Sequence, residues 1–304
     1  MGDDGAESGR RARTTPTRTP EGRVSTTDAP GYAPEWLELR EGADADARAA
    51  GLLEPLQHWL AGQERGPDGI VIRDLGCGTG SMGRWLAPRL NGPQHWILHD
   101  RDPVLLDLAA VRTPRTAADG SRVTVATERG DIDRLTAEDL DGASLLTASA
   151  LLDVLTRDEV DGIAAACAEA GCPALLALSV VGRVELTPAD PLDAEFADAF
   201  DAHQRRSGLL GPDAVSVASV AFARQGAMVR VLASPWRLGA DESALMAEWL
   251  RGWVGAACEE RPALAQRADA YLRRRLEACA AGELRVVVYH SDLLALPRPA
   301  GGTS

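Results

Sequence analysis

Lysine is missing from this sequence: all 32 basic residues among its 304 are arginines. This absence excludes an enzyme that forms a Schiff base on its own lysine, and it excludes a Walker-type phosphate loop, since both need that side chain. The 45 acidic residues bring the formal net charge to −13. Because nucleic-acid-binding surfaces depend on clustered basic residues, this balance argues against RNA or DNA as a partner.

Cysteine is also scarce, and its pattern excludes several kinds of site. The sequence has an odd number of cysteines and no CxxC pair: Cys77, Cys167, Cys172, Cys258 and Cys279. Such a set predicts reduced thiols, and no Cys/His cluster has the spacing of a zinc site, so we predict no metal. No apolar run approaches the roughly 18 residues of a membrane span, and the first 20 residues lack the apolar core of a secretory signal. We therefore expect a cytoplasmic protein without a membrane span.

Composition divides the chain into a central domain and two tails. Residues 1–30 are rich in Gly, Thr, Pro, Arg and Asp and have almost no large apolar side chains, so they predict a disordered tail. Residues 31–295 predict one domain, and residues 296–304 a flexible tail. Within the domain, a helical insert at about 183–211 and helices at about 241–280 interrupt the regular pattern. We expect these helices to cover a substrate region.

Short β-branched segments alternate with segments of helical periodicity over most of the domain. This order predicts an α/β fold with a mainly parallel sheet and helices on both faces. The predicted strands are 69–72, 96–98, 122–127, 144–149, 174–181, 227–232 and 285–289.

The most informative segment is a run of glycines between the first strand and the next helix, DLGCGTG (74–80). Glycines there permit tight turns and the close approach of a ligand. Two registers compete. Gly78, Gly80 and Gly83 fit the dinucleotide fingerprint GxGxxG, but this register places an Arg-Asp pair inside a buried strand, where an unpaired charge is costly. A loop that begins at Gly76 leaves Asp74 at the carboxyl end of the strand and needs no buried charge, so we favour it.

The DLGCGTG segment resembles the first motif of the class I methyltransferases that depend on S-adenosylmethionine. The resemblance extends over about residues 69–181, because HDRDPVLLDLA (99–109) is similar to the second motif of that family and RGDI (129–132) to its loop after the third strand. It implies a Rossmann-like sheet of seven strands in which the last strand is antiparallel, with S-adenosylmethionine as the cofactor.

The resemblance also implies which residues hold the cofactor. Asp100 would accept hydrogen bonds from both ribose hydroxyls, and Asp131 from the adenine amino group. The alternatives are that Asp100 caps the next helix and that Asp131 is an ordinary carboxylate in a turn. Asp74 would organise the loop and favour the ammonium group of the cofactor. One familiar anchor is missing, since Ser144 stands where many members carry an acidic residue. The full implied set is Asp74, Gly76, Cys77, Gly78, Gly80, Asp100, Arg101, Asp131, Ile132 and Ser149.

The acceptor site is expected beyond the carboxyl ends of the fourth and fifth strands. Asp153 there suits equally the orientation or deprotonation of a substrate and the capping of a helix. His203 is the candidate base because histidine titrates near neutral pH, although a lone histidine on an apolar face is more often a core residue. Trp236 and Arg237 together suit a planar or anionic acceptor, and a turn with the indole in the core is the alternative. Arg40 is a candidate partner for the carboxylate of the cofactor.

These observations predict a methyltransferase that moves a methyl group from S-adenosylmethionine to an oxygen or nitrogen of a small-molecule acceptor. The alternatives are a methyltransferase for RNA or protein, a non-catalytic protein that binds S-adenosylmethionine and, from the other register, an NAD(P)-dependent oxidoreductase. The net charge argues against RNA, and no Asn-Pro-Pro-Tyr-like motif follows the fourth strand. The sequence carries no signal for an oligomeric state.

Overall fold

The computed structural model describes residues 33–63, 66, 69–132 and 135–298. The predicted tail at 1–30 lies outside the described residues, and of the predicted tail at 296–304 only residues 296–298 are described. No helix within these ranges is long and apolar enough to cross a membrane.

One sheet of eight strands runs through the described part of the chain. Its strands are β1 Ile70–Leu75, β2 Gln94–Asp100, β3 Val123–Arg129, β4 Leu145–Ser149, β5 Ala174–Thr187, β6 Met228–Ala233, β7 Trp236–Leu238 and β8 Arg285–Leu296. They lie in the order β3-β2-β1-β4-β5-β8-β6, and β7 pairs with β8 beside this path. The pairs among β1 to β5 are parallel, whereas β8 is antiparallel to β5, β6 and β7. The predicted fold class is confirmed, with one short strand, β7, more than the expected seven.

Helices cover both faces of the sheet, as predicted. They are α1 Pro34–Ala47, α2 Leu53–Ala61, α3 Ser81–Leu86, α4 Pro103–Arg112, α5 Arg157–Glu169, α6 Asp193–Gln204, α7 Ala214–Arg224, α8 Ser243–Glu260 and α9 Ala265–Ala280. Buried side chains of α2, α3 and α4 form one core with the sheet, and those of α5 and α7 form a second core. In α2 and the turn before it, Leu52, Leu56 and Leu60 recur at four-residue spacing and are all buried.

A third core lies on an extension of the sheet. The predicted end of the fifth strand at residue 181 is wrong, because β5 continues to Thr187 and its last residues pair with the start of β8. Register shifts accommodate Leu178 and Gly182, whose φ values are +57° and +70°. Such bulges bend a strand without ending it. The helices α6, α8 and α9 pack on this extension.

An ion pair between a buried guanidinium and a half-buried carboxylate joins α6 to α9. The Tyr271 hydroxyl donates to Oδ1 of Asp193 at 2.6 Å. The Arg275 guanidinium donates to the same carboxylate and, at 2.6 Å, to the carbonyl of Pro188. Since Arg275 is buried, its charge depends on Asp193 for compensation.

Replacement of Asp193 by alanine is expected to lower the free energy of unfolding by roughly 3 kcal/mol, because it leaves a buried guanidinium without its counter-ion. Chemical denaturation of both proteins would measure this difference. Glu195→Ala is the matched control, since it breaks another ion pair between α6 and α9, the exposed pair with Arg267. Exposed pairs contribute only about 0–1 kcal/mol. Equal losses in the two variants would contradict the assignment.

Candidate functional site

The glycine loop connects β1 to α3 at the carboxyl edge of the sheet. Because β1 ends at Leu75, the loop begins at Gly76 and the favoured register is confirmed. Gly76, Gly78 and Gly80 have φ values of +56°, +54° and +84°. Residues other than glycine rarely adopt such positive φ values. A Cβ atom at Gly80 would also lie 3.1 Å from that of Ala109. The loop therefore requires glycine both for its backbone conformation and for its close contact with α4.

Three N–H groups of the loop are bound within the protein itself. Cys77 donates to the carbonyl of His99 at 3.0 Å, and Gly80 donates to the carbonyl of Cys77 at 2.8 Å. Gly78 donates to Oδ2 of Asp100 at 2.9 Å. Since acceptors of the protein already engage these groups, and one acceptor is a carboxylate, they do not form an open cradle for an anion.

Asp100 ends β2 and faces the loop. Its Oδ1 accepts a hydrogen bond from the N–H of Asp102 at 3.0 Å. The cap of α4 is Asp102, which accepts from the N–H of Val104 at 2.8 Å. Asp100 is therefore not the helix cap. Because a carboxylate offers about four acceptor sites, Asp100 keeps capacity for further donors.

The loop after β3 comes close to Asp100. The N–H of Gly130 donates to the carbonyl of Asp100 at 3.2 Å, and the half-buried Asp131 and Ile132 follow directly. Arg101 is the residue after Asp100 in the chain. The structure thus brings these predicted residues together at one edge of the sheet, and their contacts with a cofactor stay a prediction.

Asp74 lies inside β1 and is only 1% exposed, so the expectation that the favoured register needs no buried charge is wrong. Thr147 donates to Oδ1 of Asp74 at 2.7 Å, whereas Oδ2 has no hydrogen-bond partner among the described residues. Burial raises the pKa of Asp74 to about 7. The adjacent Arg73 avoids an unpaired charge because it binds Glu128 of β3 at 2.6 Å.

Asp74 should make stability depend on pH. Because burial raises its pKa from 3.8 to about 7, the folded protein retains a proton that the unfolded chain loses in this window. This contribution to the free energy of unfolding therefore decreases as pH rises from about 4 to about 7. Asp74→Asn lacks the titration and is expected to raise the melting temperature more at pH 8 than at pH 5. A difference in melting temperature that is independent of pH would contradict this assignment.

Arg48, directly after α1, is a candidate site residue that sequence reasoning missed. It is 4% exposed, and its Nη2 donates to the hydroxyls of Ser81 at 3.0 Å and Ser149 at 3.1 Å. Its Nε and Nη1 have no partner in the described part of the chain. A buried guanidinium with two unused donors indicates a site for an anionic group. No local signal distinguishes this residue from the other arginines.

Arg40, the residue that the sequence favoured for this role, is already engaged. Its Nε donates to Oδ2 of Asp44 at 2.9 Å, and its guanidinium lies over the ring of Trp236 with 4.9 Å to the centroid. The helix α1 that carries it covers the glycine loop, since a Cβ atom at Gly78 would lie 3.2 Å from Cδ1 of Leu37. The first helix therefore forms one wall of the site.

A cleft of about 810 Å³, a volume that includes its open mouth, lies beyond the carboxyl end of β4 and beside the middle of β5, where Leu178, Val180 and Val184 line it. Its floor contains Ala150 and Leu178, both with positive φ. Ala150 directly follows Ser149, so the cleft adjoins the site of Arg48. The polar and charged side chains that line it include Arg40, Asp153, Arg183, Asp201, Gln204, Tyr289 and His290. This is the region where the sequence places the acceptor.

Asp153 lines the cleft and is 9% exposed. Its Oδ1 lacks a hydrogen-bond partner among the residues that the structure describes, and burial raises the pKa of the carboxyl group. The cap of α5 is Thr156, which forms a capping box with Glu159, so the capping role considered for Asp153 belongs to another residue. A buried carboxylate with a raised pKa suits the acceptance of a proton.

Two other candidates lie apart from Asp153. His203 is not among the residues that line the cleft, and its Nε2 lies 3.1 Å from Oε2 of Glu259 at the end of α8. Trp236 and Arg237 are adjacent in β7, so their side chains point to opposite faces. Trp236 is buried and lines the cleft, whereas Arg237 is exposed. The side chains of Trp236 and Arg237, which the sequence suggested as one binding pair, are therefore directed to different surroundings. His203 does not line this cleft.

His290 lines the cleft although its position in the sequence carried no signal. Its ring lies 5.2 Å from that of Trp236. Burial, together with the charge of Arg40, lowers the pKa of His290 to about 3. The imidazole is therefore neutral at physiological pH and can act as a hydrogen-bonding group.

Comparisons with known proteins find only remote structural similarity. No protein-family model and no curated protein sequence matches the chain. Among solved structures, the chain is similar to a SAM-dependent methyltransferase from Geobacter sulfurreducens in complex with S-adenosyl-L-homocysteine, with 17% identity, a TM-score of 0.42, and coverage of 88% of this chain and 99% of the other. It is also similar to the cyclopropane synthase MmaA2 from Mycobacterium tuberculosis, with 13% identity, a TM-score of 0.42, and coverage of 80% and 83%.

A third similar structure is geranyl diphosphate C-methyltransferase from Streptomyces coelicolor A3(2), with 13% identity, a TM-score of 0.40, and coverage of 82% of this chain and 80% of the other. Because these likenesses are remote, the function has to be inferred from the residues of the site.

Proposed function

We propose that the protein is a methyltransferase that binds S-adenosylmethionine and transfers its methyl group to an oxygen or nitrogen of a small-molecule acceptor. The observation that carries this proposal is the set of charged groups around the glycine loop. The carboxylates of Asp74 and Asp100 stand beside the loop, and the buried guanidinium of Arg48 binds Ser81, the first residue after it. A ligand with a sulfonium, an ammonium and a carboxylate group carries complementary charges.

The residues present fit this cofactor group by group. Arg48 would bind its carboxylate through Nε and Nη1, the two nitrogens without a partner in the described chain. Asp74 would accept from its ammonium group through Oδ2. Asp100 would accept from the ribose hydroxyls, and Asp131 from the adenine amino group. Arg48 and Asp131 follow α1 and β3, whereas Asp74 and Asp100 lie in the last two residues of β1 and β2. The parallel strands bring the three carboxyl groups to the carboxyl end of the sheet.

S-adenosylmethionine supplies a methyl carbon that is already activated, so that transfer leaves the carbon–sulfur electron pair on sulfur. The protein has to orient the acceptor atom and exclude water. Ser149 binds Arg48, and Ala150 lines the cleft, so the cleft is placed to present an acceptor next to the cofactor site. Asp153 would accept a proton from the acceptor. In this proposal, residues 31–295 form the catalytic domain of a cytoplasmic enzyme.

The same geometry disfavours a nicotinamide dinucleotide. Loops that bind pyrophosphate direct free N–H groups and a helix N-terminus toward the negative charge. Here the N–H groups of Cys77, Gly78 and Gly80 already have acceptors. In addition, Asp74 and Asp100 would repel a pyrophosphate, because like charges at short range are unfavourable.

Calorimetric titration with S-adenosylhomocysteine, with NADH and NADPH in parallel, tests the proposal. We expect a dissociation constant in the micromolar range for the first ligand and no heat from the other two. The reverse pattern would establish the dinucleotide reading. Binding of none of the three would overturn the assignment of the loop.

A further inference from the structure

Aromatic side chains are rare in this protein, but the lining of the cleft is rich in them. The sequence contains seven tryptophans, three tyrosines and three phenylalanines. Five of these residues line the cleft: Trp36, Phe200, Trp236, Trp249 and Tyr289. They come from α1, α6, β7, α8 and β8, elements that tertiary folding brings together. Flat apolar walls of this kind favour a planar ligand, because aromatic rings gain from stacked or edge-to-face contact.

The charges in the cleft restrict the ligand further. Two ring faces already carry a guanidinium: Arg40 lies over Trp236 at 4.9 Å, and Arg183 lies over Tyr289 at 4.3 Å. A cationic acceptor would therefore meet like charges where a cation normally binds an aromatic face. An anionic acceptor would meet the carboxyl groups of Asp153 and Asp201. An electrically neutral ligand avoids repulsion both by the arginines and by the carboxyl groups of the cleft.

Two residues that line the cleft, Asp153 and His290, each have a buried polar atom without a partner among the described residues. Oδ1 of Asp153 is buried and, within the described residues, has no donor. Because a buried acceptor without a donor is unfavourable, a bound ligand that donates a hydrogen bond would satisfy it.

We infer that the acceptor is a neutral, planar aromatic compound with a hydroxyl group that donates to Asp153. This inference rests on the proposed function, whose acceptor site it describes. When the hydroxyl reacts, its O–H bond breaks, the electron pair remains on the acceptor oxygen and the proton forms a new O–H bond on the carboxylate of Asp153. The oxygen is then ready to receive the methyl group.

The first test is binding of two probes of equal carbon skeleton. Titration with 2-naphthol and with its saturated counterpart decahydro-2-naphthol, in the presence of S-adenosylhomocysteine, is read by tryptophan fluorescence and calorimetry. We expect the planar probe to bind at least about tenfold more tightly, since only it can stack. Equal binding, or no binding of either 2-naphthol or the one-ring probe 4-ethylphenol, would overturn the inference. If the wild-type protein does not bind S-adenosylhomocysteine, this result would instead contradict the proposed function.

The second test locates the planar probe. Trp249 lines the cleft, whereas Trp59 lies in α2 and packs against the first core. We expect Trp249→Leu to weaken 2-naphthol binding by about tenfold, and Trp59→Leu to leave it unchanged. Both variants should retain the affinity for S-adenosylhomocysteine, which also shows that they fold. Equal effects of the two variants on 2-naphthol would overturn the assignment of the cleft.

The third test addresses the hydroxyl group. In the wild-type protein 2-naphthol should bind about tenfold more tightly than naphthalene, because its hydroxyl donates to a buried acceptor that otherwise has no donor. Asp153→Leu has a similar shape and no acceptor atom, so this preference should disappear while naphthalene still binds. If the preference survives in the variant, the hydroxyl contacts another group and the role of Asp153 is wrong.

Discussion

Gly78→Val should abolish measurable binding of S-adenosylhomocysteine while the protein remains folded. Gly78 has a φ of +54°, and a Cβ atom there would lie 3.2 Å from Leu37. Valine adds two further methyl groups at a position where the loop, α1 and Asp100 meet. The side chain would fill the space through which a ligand reaches the backbone. The strained backbone would also displace the N–H of Gly78, from which Asp100 accepts a hydrogen bond.

Calorimetry and thermal unfolding of this variant separate binding from folding, and Gly120→Val is the matched control. Gly120 also has a positive φ, +82°, but no described atom lies within 4 Å of a Cβ atom placed there. Both substitutions therefore cause similar backbone strain, about 1–2 kcal/mol, and only Gly78→Val blocks the loop. We expect the control to bind S-adenosylhomocysteine with unchanged affinity. Wild-type affinity in Gly78→Val would refute the assignment of the loop.

Arg48→Met should weaken the binding of S-adenosylhomocysteine by a factor of about 10 to 150, the equivalent of about 1.5–3 kcal/mol for hydrogen bonds to a charged group. Methionine keeps the length of the arginine stem and removes the charge and every donor. Because Nε and Nη1 have no hydrogen-bond partner within the described chain, the substitution breaks the two hydrogen bonds to Ser81 and Ser149 and the contact of the guanidinium with the ring of Trp85. Folding should therefore be retained.

A second ligand makes this prediction specific. The nucleoside 5′-methylthioadenosine lacks the amino-acid end, so Arg48→Met should not change its affinity if Arg48 binds the carboxylate. Asp100→Asn should weaken both ligands, because both contain the ribose. Arg89→Met is the control variant, since Arg89 stacks on the same indole of Trp85 but is exposed. Equal losses for the two ligands in Arg48→Met would move Arg48 out of the carboxylate site.

Sequence reasoning found the parts of the site that depend on local conformation. The glycine loop was recognisable because its backbone needs positive φ at three nearby positions. The alternating pattern identified the order of strands and helices, because hydrophobic periodicity also depends on residues that are close in the sequence. Sequence reasoning failed where the environment of a residue depends on residues far away in the chain. Asp74 is buried because β4 pairs beside it, and β5 continues past residue 181 because β8 provides its partner.

The acceptor side shows the same division at the level of single residues. His203 was favoured because histidine as a residue type titrates near neutral pH, yet its Nε2 lies 3.1 Å from Oε2 of Glu259. His290 carried no signal, and burial beside Trp236 makes it a neutral group of the cleft. Intrinsic chemistry can be read from the residue type, whereas protonation and position follow from what surrounds the side chain.

The sequence by itself thus determined the fold class, the position of the glycine loop and the acidic residue that ends the second strand, because turns and periodicities arise from neighbouring residues. Tertiary structure decided which charges are paired and which are left for a ligand. Arg48 meets Ser149 across 101 positions of the chain, and Trp236 meets Asp44 across 192. Only packing determines such contacts, since their partners are far apart in the chain and meet when the helices close on the sheet.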